Sequence, residues 1–285
     1  MNGFQLKFVT PLFKQHEDMR PLCEFPQEDL RKIKFILTDI DDTLTTNGRL
    51  PAISYHALEK LHLAGFKVVP ITGRPAGWCD HIARMWPVDA VVGENGAFYF
   101  IYDHYKRKII RRYWKTEKER TADRKRLEKI QNKILSTVTG SAVASDQAYR
   151  EADLAIDFCE DIKPLPDSSV IKIMEVFHNE GAVAKMSSIH VNGWFGDYNK
   201  LKMTHILLEE YFQLNNTDFM EKILFAGDSP NDEPMFNYFK NSVGVGNIMN
   251  FADQIKKFPT WITTKNSAEG FSELSDKLLL AQASS

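Results

Sequence analysis

Two short acidic segments of this chain have the residue types and spacing for phosphate or metal chemistry. The first is Phe35-Ile-Leu-Thr-Asp-Ile-Asp-Asp-Thr-Leu44, an apolar run that ends in Asp39, Asp41 and Thr43. On extended backbone, residues two apart face the same way. The carboxylates of Asp39 and Asp41 therefore converge, and two neighbouring carboxylates do not both stay charged without a counter-charge. Either they share a proton or they bracket a cation, and an aspartate-rich oxygen site with few protein ligands suits Mg2+. A solvated acidic turn would look the same, so the segment needs support from elsewhere. The second is Phe225-Ala-Gly-Asp-Ser-Pro-Asn-Asp232, another apolar run that meets Gly227 and then Asp228 and Asp232. Charges beside a core need partners or ions, which favours a metal site here over a capped turn.

Two further segments offer groups that hold phosphate. In Val69-Pro-Ile-Thr-Gly-Arg-Pro75, the Thr72 hydroxyl and the amides around Gly73 can bind phosphate oxygens. Thr72 could instead cap a helix. Arg74 is a neighbouring candidate for the same anion. In Asp197-Tyr-Asn-Lys-Leu-Lys-Met203, Lys200 at a helix start can neutralise a phosphate. Lys202 competes for that role, and either lysine could simply be solvated.

The elements that carry these groups alternate. Strands are expected at 35–40, 66–72 and 89–92, with helices at 54–65 and near Trp78 to Trp86 between them. Ser54 is read as the cap of the first helix and Gly65 as its end, and Trp78 and Trp86 are read as core. The alternation returns with a helix at 199–212, a strand at 221–226, a helix at 231–239, a strand at 242–245 and a helix at 268–280. This is the pattern of a doubly wound, Rossmann-like parallel sheet. Residues 98–195 differ: strands at 98–102, 109–114, 153–158, 182–186 and 189–195 surround helices at 116–135 and 168–180. They read as a smaller α+β domain inserted into a core of residues 32–97 and 196–285, with residues 1–31 as an extension.

Composition narrows the class. The 285 residues carry a formal net charge of -2, with 43% hydrophobic and 26% charged residues. There is no strong basic field to draw in nucleic acid or an anionic membrane. The three cysteines, Cys23, Cys79 and Cys159, lack metal-ligand spacing and read as free thiols in a reducing compartment. No apolar stretch reaches the roughly 18 residues that span a bilayer, and a cytoplasmic location is expected.

Taken in order, the four segments resemble the signatures of the haloacid dehalogenase superfamily: Asp-x-Asp-x-Thr at Asp39, Asp41 and Thr43, a Thr strand end at Thr72, a Lys at Lys200, and Gly-Asp-x-x-x-Asp at Asp228 and Asp232. The resemblance runs from about residue 33 to 280. The insert falls between the second and third signatures, and Thr72-Gly-Arg, Glu94-Asn-Gly-Ala and Gly227-Asp-Ser-Pro-Asn-Asp232 are similar to the Cof-type and sucrose-phosphatase-like branch. That branch usually has Lys-Gly where this chain has Lys200-Leu201.

The resemblance implies a Mg2+-dependent phosphatase acting on a small phosphate ester, with sugar phosphates first. It implies Asp39 as nucleophile, Asp41 as proton donor and later base, Asp39, Asp228 and the carbonyl of Asp41 as metal ligands, and Asn231 and Asp232 as residues supporting the metal site. Thr72, Gly73 and Lys200 would hold the phosphoryl oxygens. The insert would close over the leaving group, with His190, Asn192 and Trp194, and the neighbouring Asp197 and Tyr198, among the residues that choose it. A phosphosugar mutase and a non-catalytic phosphometabolite-binding protein are the alternatives.

Overall fold

The computed structural model describes residues 19–187 and 189–283. Its centre is a six-stranded parallel sheet in the order β1-β13-β12-β11-β2-β3. These strands are β1 (Arg20–Pro21), β2 (Phe35–Thr38), β3 (Lys67–Pro70), β11 (Ile223–Gly227), β12 (Asn241–Gly244) and β13 (Trp261–Ile262). Alternate residues of the central strands feed opposite layers. Ile36, Val68 and Leu224 pack with Leu58, Leu61 and Leu274, from α2 (Ala52–Leu63) and α9 (Ser267–Ala283). Leu37, Val69 and Phe225 pack with Met203, Leu207 and Phe236, from α6 (Lys200–Glu210) and α8 (Glu233–Tyr238). Burial on both faces explains why these strands read as unbroken apolar runs.

β2 and β11 are neighbours, and Asp39 and Asp228 follow directly from their C-terminal ends. The chain winds away from this pair in both directions, so the two carboxylates lie at the switch point where open α/β sheets bind ligands.

A bridge from Ile71 to Val92 joins the central sheet to β4 (Val91–Gly93), which continues through β5 (Phe98–Asp103) into β6 (Lys108–Tyr113) as an antiparallel sheet. Phe98 and Phe100 lie in the first core cluster, and Tyr99 and Ile101 in the second. The hairpin expected to open the insert at residue 98 thus packs with the core. The third cluster draws only on residues between Leu127 and Phe195. It joins α4 (Glu117–Thr137) and α5 (Asp167–Asn179) to one face of a sheet ordered β7-β8-β10-β9. Those strands are β7 (Ala142–Val143), β8 (Leu154–Asp157), β9 (Val183–Met186) and β10 (His190–Trp194). A capping box of Thr116 and Glu119 starts α4.

Other expectations are also corrected. The described part of the expected extension or edge element, residues 19–31, contains the edge strand β1 but is not loose: Leu22, Phe25 and Leu30 are buried in the first cluster, and α1 (Gln27–Lys32) lies against α9. Residues 1–18 of that expected extension lie outside the described residues. Ser54 does not cap α2. Pro51 occupies that position, and the buried Ser54 hydroxyl donates to Leu44 O. The helix expected at 231–239 splits into a 3-10 turn, Pro230–Asp232, and α8. A short helix, α7 (Asn216–Glu221), was not expected. Trp78 is 43% exposed rather than core, and Trp86 is only partly buried. Among the described residues, no helix is long and apolar enough to cross a membrane.

Candidate active site

Asp39, Asp228 and Asp232 are all buried, and one carboxylate oxygen from each lies within 4.8 Å of the others. Lys200 Nζ reaches Asp39 Oδ1 at 2.6 Å and Asp232 Oδ1 at 3.1 Å. The Asp228 amide donates to Asp232 Oδ2 at 3.2 Å, so Asp232 braces both the lysine and the loop. That contact requires Gly227: a Cβ there would sit 2.5 Å from Asp232 Oδ2. Thr43 Oγ1 donates to Asp228 Oδ1 at 3.3 Å. Asn247 Nδ2 donates to Asp228 Oδ2 at 3.0 Å and to the Asp42 carbonyl at 3.1 Å. Sequence reasoning missed Asn247, whose signal is its place just past the end of β12 on the same sheet edge.

Lys200 rather than Lys202 enters the cluster because Asn199 caps α6 and turns the first helical residue inward. Lys202 is only partly buried and pairs with the exposed Asp197 at 2.6 Å. Burial works against the Lys200 charge, but Asp232 and Asp39 outweigh it and hold its pKa above the ordinary lysine value. Burial pushes Asp39 up to about 8 despite Lys200, and burial followed by Asp232 and Asp39 raises Asp228 well above the carboxylate range. With all three carboxylates ionised, one ammonium would leave two negative charges uncompensated in a buried place, which is why Asp39 and Asp228 are held up. The set fits a hard divalent cation with oxygen ligands.

Asp41 faces away from this cluster, into an ion pair with Arg74. Arg74 Nε lies 3.0 and 3.2 Å from the two carboxylate oxygens, and Nη2 lies 2.8 Å from Oδ1. Arg74 is therefore a clamp on Asp41. Its Nη1 also lies 3.5 Å from Glu160 of the insert. Thr72 is fully buried and accepts the Arg74 amide at 3.0 Å; it does not cap α3 (Ala76–Met85), whose N-cap is Pro75. Gly73 borders the same cleft, with the Asn95 side chain close against its Cα.

The cleft encloses about 130 Å³ between Asp39, Asp41, Arg74 and Asp228 on the core and His190 and Asn192 on the insert. His190 and Asn192 face it because they alternate along β10 with Val191, which points into the third cluster. His190 Nε2 lies 2.8 Å from Glu160 Oε2 without hydrogen-bond alignment, and burial lowers the imidazole pKa. Asn192 donates to Asp153 at 2.9 Å. Asn231 accepts from Ser229 Oγ at 2.9 Å at the rim. Trp194 departs from expectation: it is 1% exposed, lies in the first core cluster and stacks on Tyr198. Tyr198 is equally a core ring, and Asp197 is turned to solvent.

A family model for haloacid dehalogenase-like hydrolases matches residues 36–186 and 196–274. The chain belongs to the haloacid dehalogenase-like hydrolases. It is similar to a phosphoglycolate phosphatase of Methanobrevibacter smithii, with 26% identity over 87% of this chain and 99% of that one. A structure from Thermoplasma acidophilum superposes with a TM-score of 0.67 at 19% identity, covering 87% and 99% of the two chains. The sucrose-phosphatase of Synechocystis, in complex with sucrose and phosphate, gives 0.60 at 15% identity, covering 87% and 98%. Both share the fold.

In this hydrolase Glu94 joins insert to core. Its carboxylate is fully buried and accepts the amides of Ala76 at 2.9 Å, Glu151 at 2.9 Å, Ala152 at 2.6 Å and Asp153 at 3.1 Å. Arg150 lies beside it, donating to the Gly73 carbonyl at 3.0 Å and to Asp146 and Asp153. The adjoining turn needs Gly96, at φ 104°, because a Cβ would meet the Asn199 carbonyl at 2.2 Å. Glu94→Gln keeps the shape but offers one acceptor oxygen where two serve four donors. It is expected to cost about 3 kcal/mol, read from urea denaturation.

Burial also holds Glu94 up at about 8. Asp39 and Glu94 thus titrate higher in the folded protein than at their ordinary 3.8 and 4.5. The native state binds more protons across that window, so stability is full below it and falls as pH rises through about 8. Thermal melts with chelator present should show a lower midpoint at about pH 9 than at about pH 6; a flat profile would refute the assignment.

Proposed function

We propose that this hydrolase is a Mg2+-dependent phosphatase that cleaves a small phosphorylated metabolite through an aspartyl-phosphate. The observation that carries the reading is the buried junction of Asp39, Lys200, Asp228 and Asp232 beneath the cleft. Asp39 attacks phosphorus, and the bond to the leaving oxygen breaks as Asp41 delivers a proton to it. Asp41 then takes a proton from a water whose oxygen attacks phosphorus, and the bond from phosphorus to the Asp39 oxygen breaks, releasing phosphate and the free carboxylate. Arg74 sets the resting position of Asp41, which moves from this ion pair toward the leaving oxygen to transfer the proton. Lys200 and the Thr72–Gly73 segment neutralise and orient the phosphoryl oxygens. Asp39, Asp228 and the Asp41 carbonyl would hold Mg2+, which supplies charge neutralisation when bound, with Asp232, Asn231 and Asn247 steadying its surroundings. The cap would span about residues 114–195.

A neutral, hydroxyl-bearing leaving group fits better than a carboxylate such as glycolate. The Arg74 guanidinium is already committed to Asp41 and Glu160, and burial keeps His190 toward its neutral form. Sugar phosphates are therefore the first substrate class to test, alongside phosphoglycolate and nucleotides.

A phosphate-release screen over a metabolite panel, with and without Mg2+, tests the reading. Release from a sugar phosphate that chelation abolishes is the expected result. Isomerised sugar phosphate with no release would sink it in favour of a mutase, and binding without turnover in favour of a non-catalytic role.

A further inference from the structure

Beyond the cleft, on the far side of the Asp41–Arg74 pair, lies a second recess of about 380 Å³. It opens between the loop after β2 and helix α3, and is walled by Leu50, Trp78, His81 and Trp86, with Asp41 and Arg74 at its inner end. The phosphoryl chemistry uses none of the aromatic residues. We propose that this recess is a binding site for an uncharged, planar heteroaromatic molecule whose occupancy slows turnover by holding the Asp41–Arg74 pair.

Three observations support the chemistry of the occupant. The volume suits a small ring system. Trp78 is large yet 43% exposed and lines the recess; the Arg74 guanidinium, 4.6 Å from its ring centroid, covers part of the ring and the remaining aromatic surface is open. Such surfaces favour stacked or edge-on aromatic partners. The occupant is neutral because Arg74 gives Nε and Nη2 to Asp41 and turns Nη1 to Glu160. An anionic ring would find that cation already paired, and a cationic ring would compete with it for Asp41; burying either charge unpaired is costly.

Coupling follows from shared walls. Asp41 and Arg74 border both recesses. A ring packed against the outer side of the pair opposes the motion by which Asp41 reaches a leaving oxygen. Binding rests on the geometry of the recess alone; the effect on turnover also rests on the phosphatase reading.

Adenine and nicotinamide, titrated into the full-length protein by calorimetry and tryptophan fluorescence, test the proposal. Saturable binding of at least one ring is expected, weakened about tenfold by Trp78→Ala, which removes the stacking wall. His81→Trp, which fills the space from a surface position, should weaken it as much. Thermal melts of both variants confirm that each is folded. With an active phosphate ester, the bound ring should lower kcat and leave KM unchanged. Failure of both rings to bind at millimolar concentration, or binding indifferent to both variants, overturns the site. A rise in KM at constant kcat places the ring in the cleft and also overturns it. If no ester is turned over, the binding titrations still decide the site, and only the phosphatase reading falls.

Discussion

Asp39→Asn is expected to reduce phosphate release by about 10⁴-fold or more, because an amide cannot serve as the attacking oxygen. The folded state should survive the change. Asp39 is a buried carboxyl that burial pushes up to about 8, and Lys200 keeps Asp232 as a partner at 3.1 Å when the charge at 39 is removed. The variant should therefore melt no lower than the parent in metal-free buffer while losing turnover. Full Mg2+-dependent release by the variant would remove Asp39 from the role of nucleophile. Loss of activity with loss of fold would be settled by Asp41→Asn, which leaves the Lys200 junction intact and should lose the proton-transfer step, about 10²–10⁴-fold.

Lys200→Ala should damage both stability and rate. The ammonium is the charge that Asp39 and Asp232 share within 3.1 Å, and all three groups are buried. Removing one member of a buried charged set leaves the others uncompensated, which costs about 3–5 kcal/mol. The loss of charge facing the phosphoryl oxygens should lower kcat by about 10²–10³-fold. Lys202→Ala is the control. Its partner is the exposed Asp197, and pairs of that kind contribute about 0–1 kcal/mol. Denaturation curves and phosphate release on the two variants separate the lysines. Equal effects would mean that Lys200 is not the phosphate ligand.

The contrast between these two lysines marks where the sequence is legible. Asp39, Asp41 and Asp228 stand out because each follows an apolar strand, and a strand end places its next polar residue at the sheet edge. The lysine is harder, since Lys200 and Lys202 differ only in where a helix begins. Asn199 decides that through a hydrogen bond of its side chain to the Lys202 amide. The bridging role of Glu94, whose segment is legible, is hidden for another reason. Its partners are backbone amides, and those on the insert lie more than fifty residues away, at a separation of 57 for Glu151. No side-chain pattern announces such a pairing. Trp194 misled because the alternation that sets His190 and Asn192 over the cleft places it on the same face, further along β10, where that face meets the core and Tyr198.

The hairpin of β5 and β6 shows the same limit at the level of domains. Its strands were legible, but their allegiance was not, because a change from parallel to antiparallel pairing looks like a change of domain. Only the location of Phe98, Tyr99, Phe100 and Ile101 in the two core clusters assigns it.

The pairing of β2 with β11 also sets the order in which the protein can be made. Thr43 and Asp228 touch across a sequence separation of 185. Such long closures form slowly. During synthesis β2 emerges with its neighbour still untranslated, one edge unpaired and its acids exposed. The insert, whose cluster closes between Leu127 and Phe195, can condense while β2 waits. The buried cluster of Asp39, Asp228 and Asp232 thus forms only after β11 has left the ribosome, and a nascent chain stalled before β11 would hold a finished insert beside an unfinished acidic cluster.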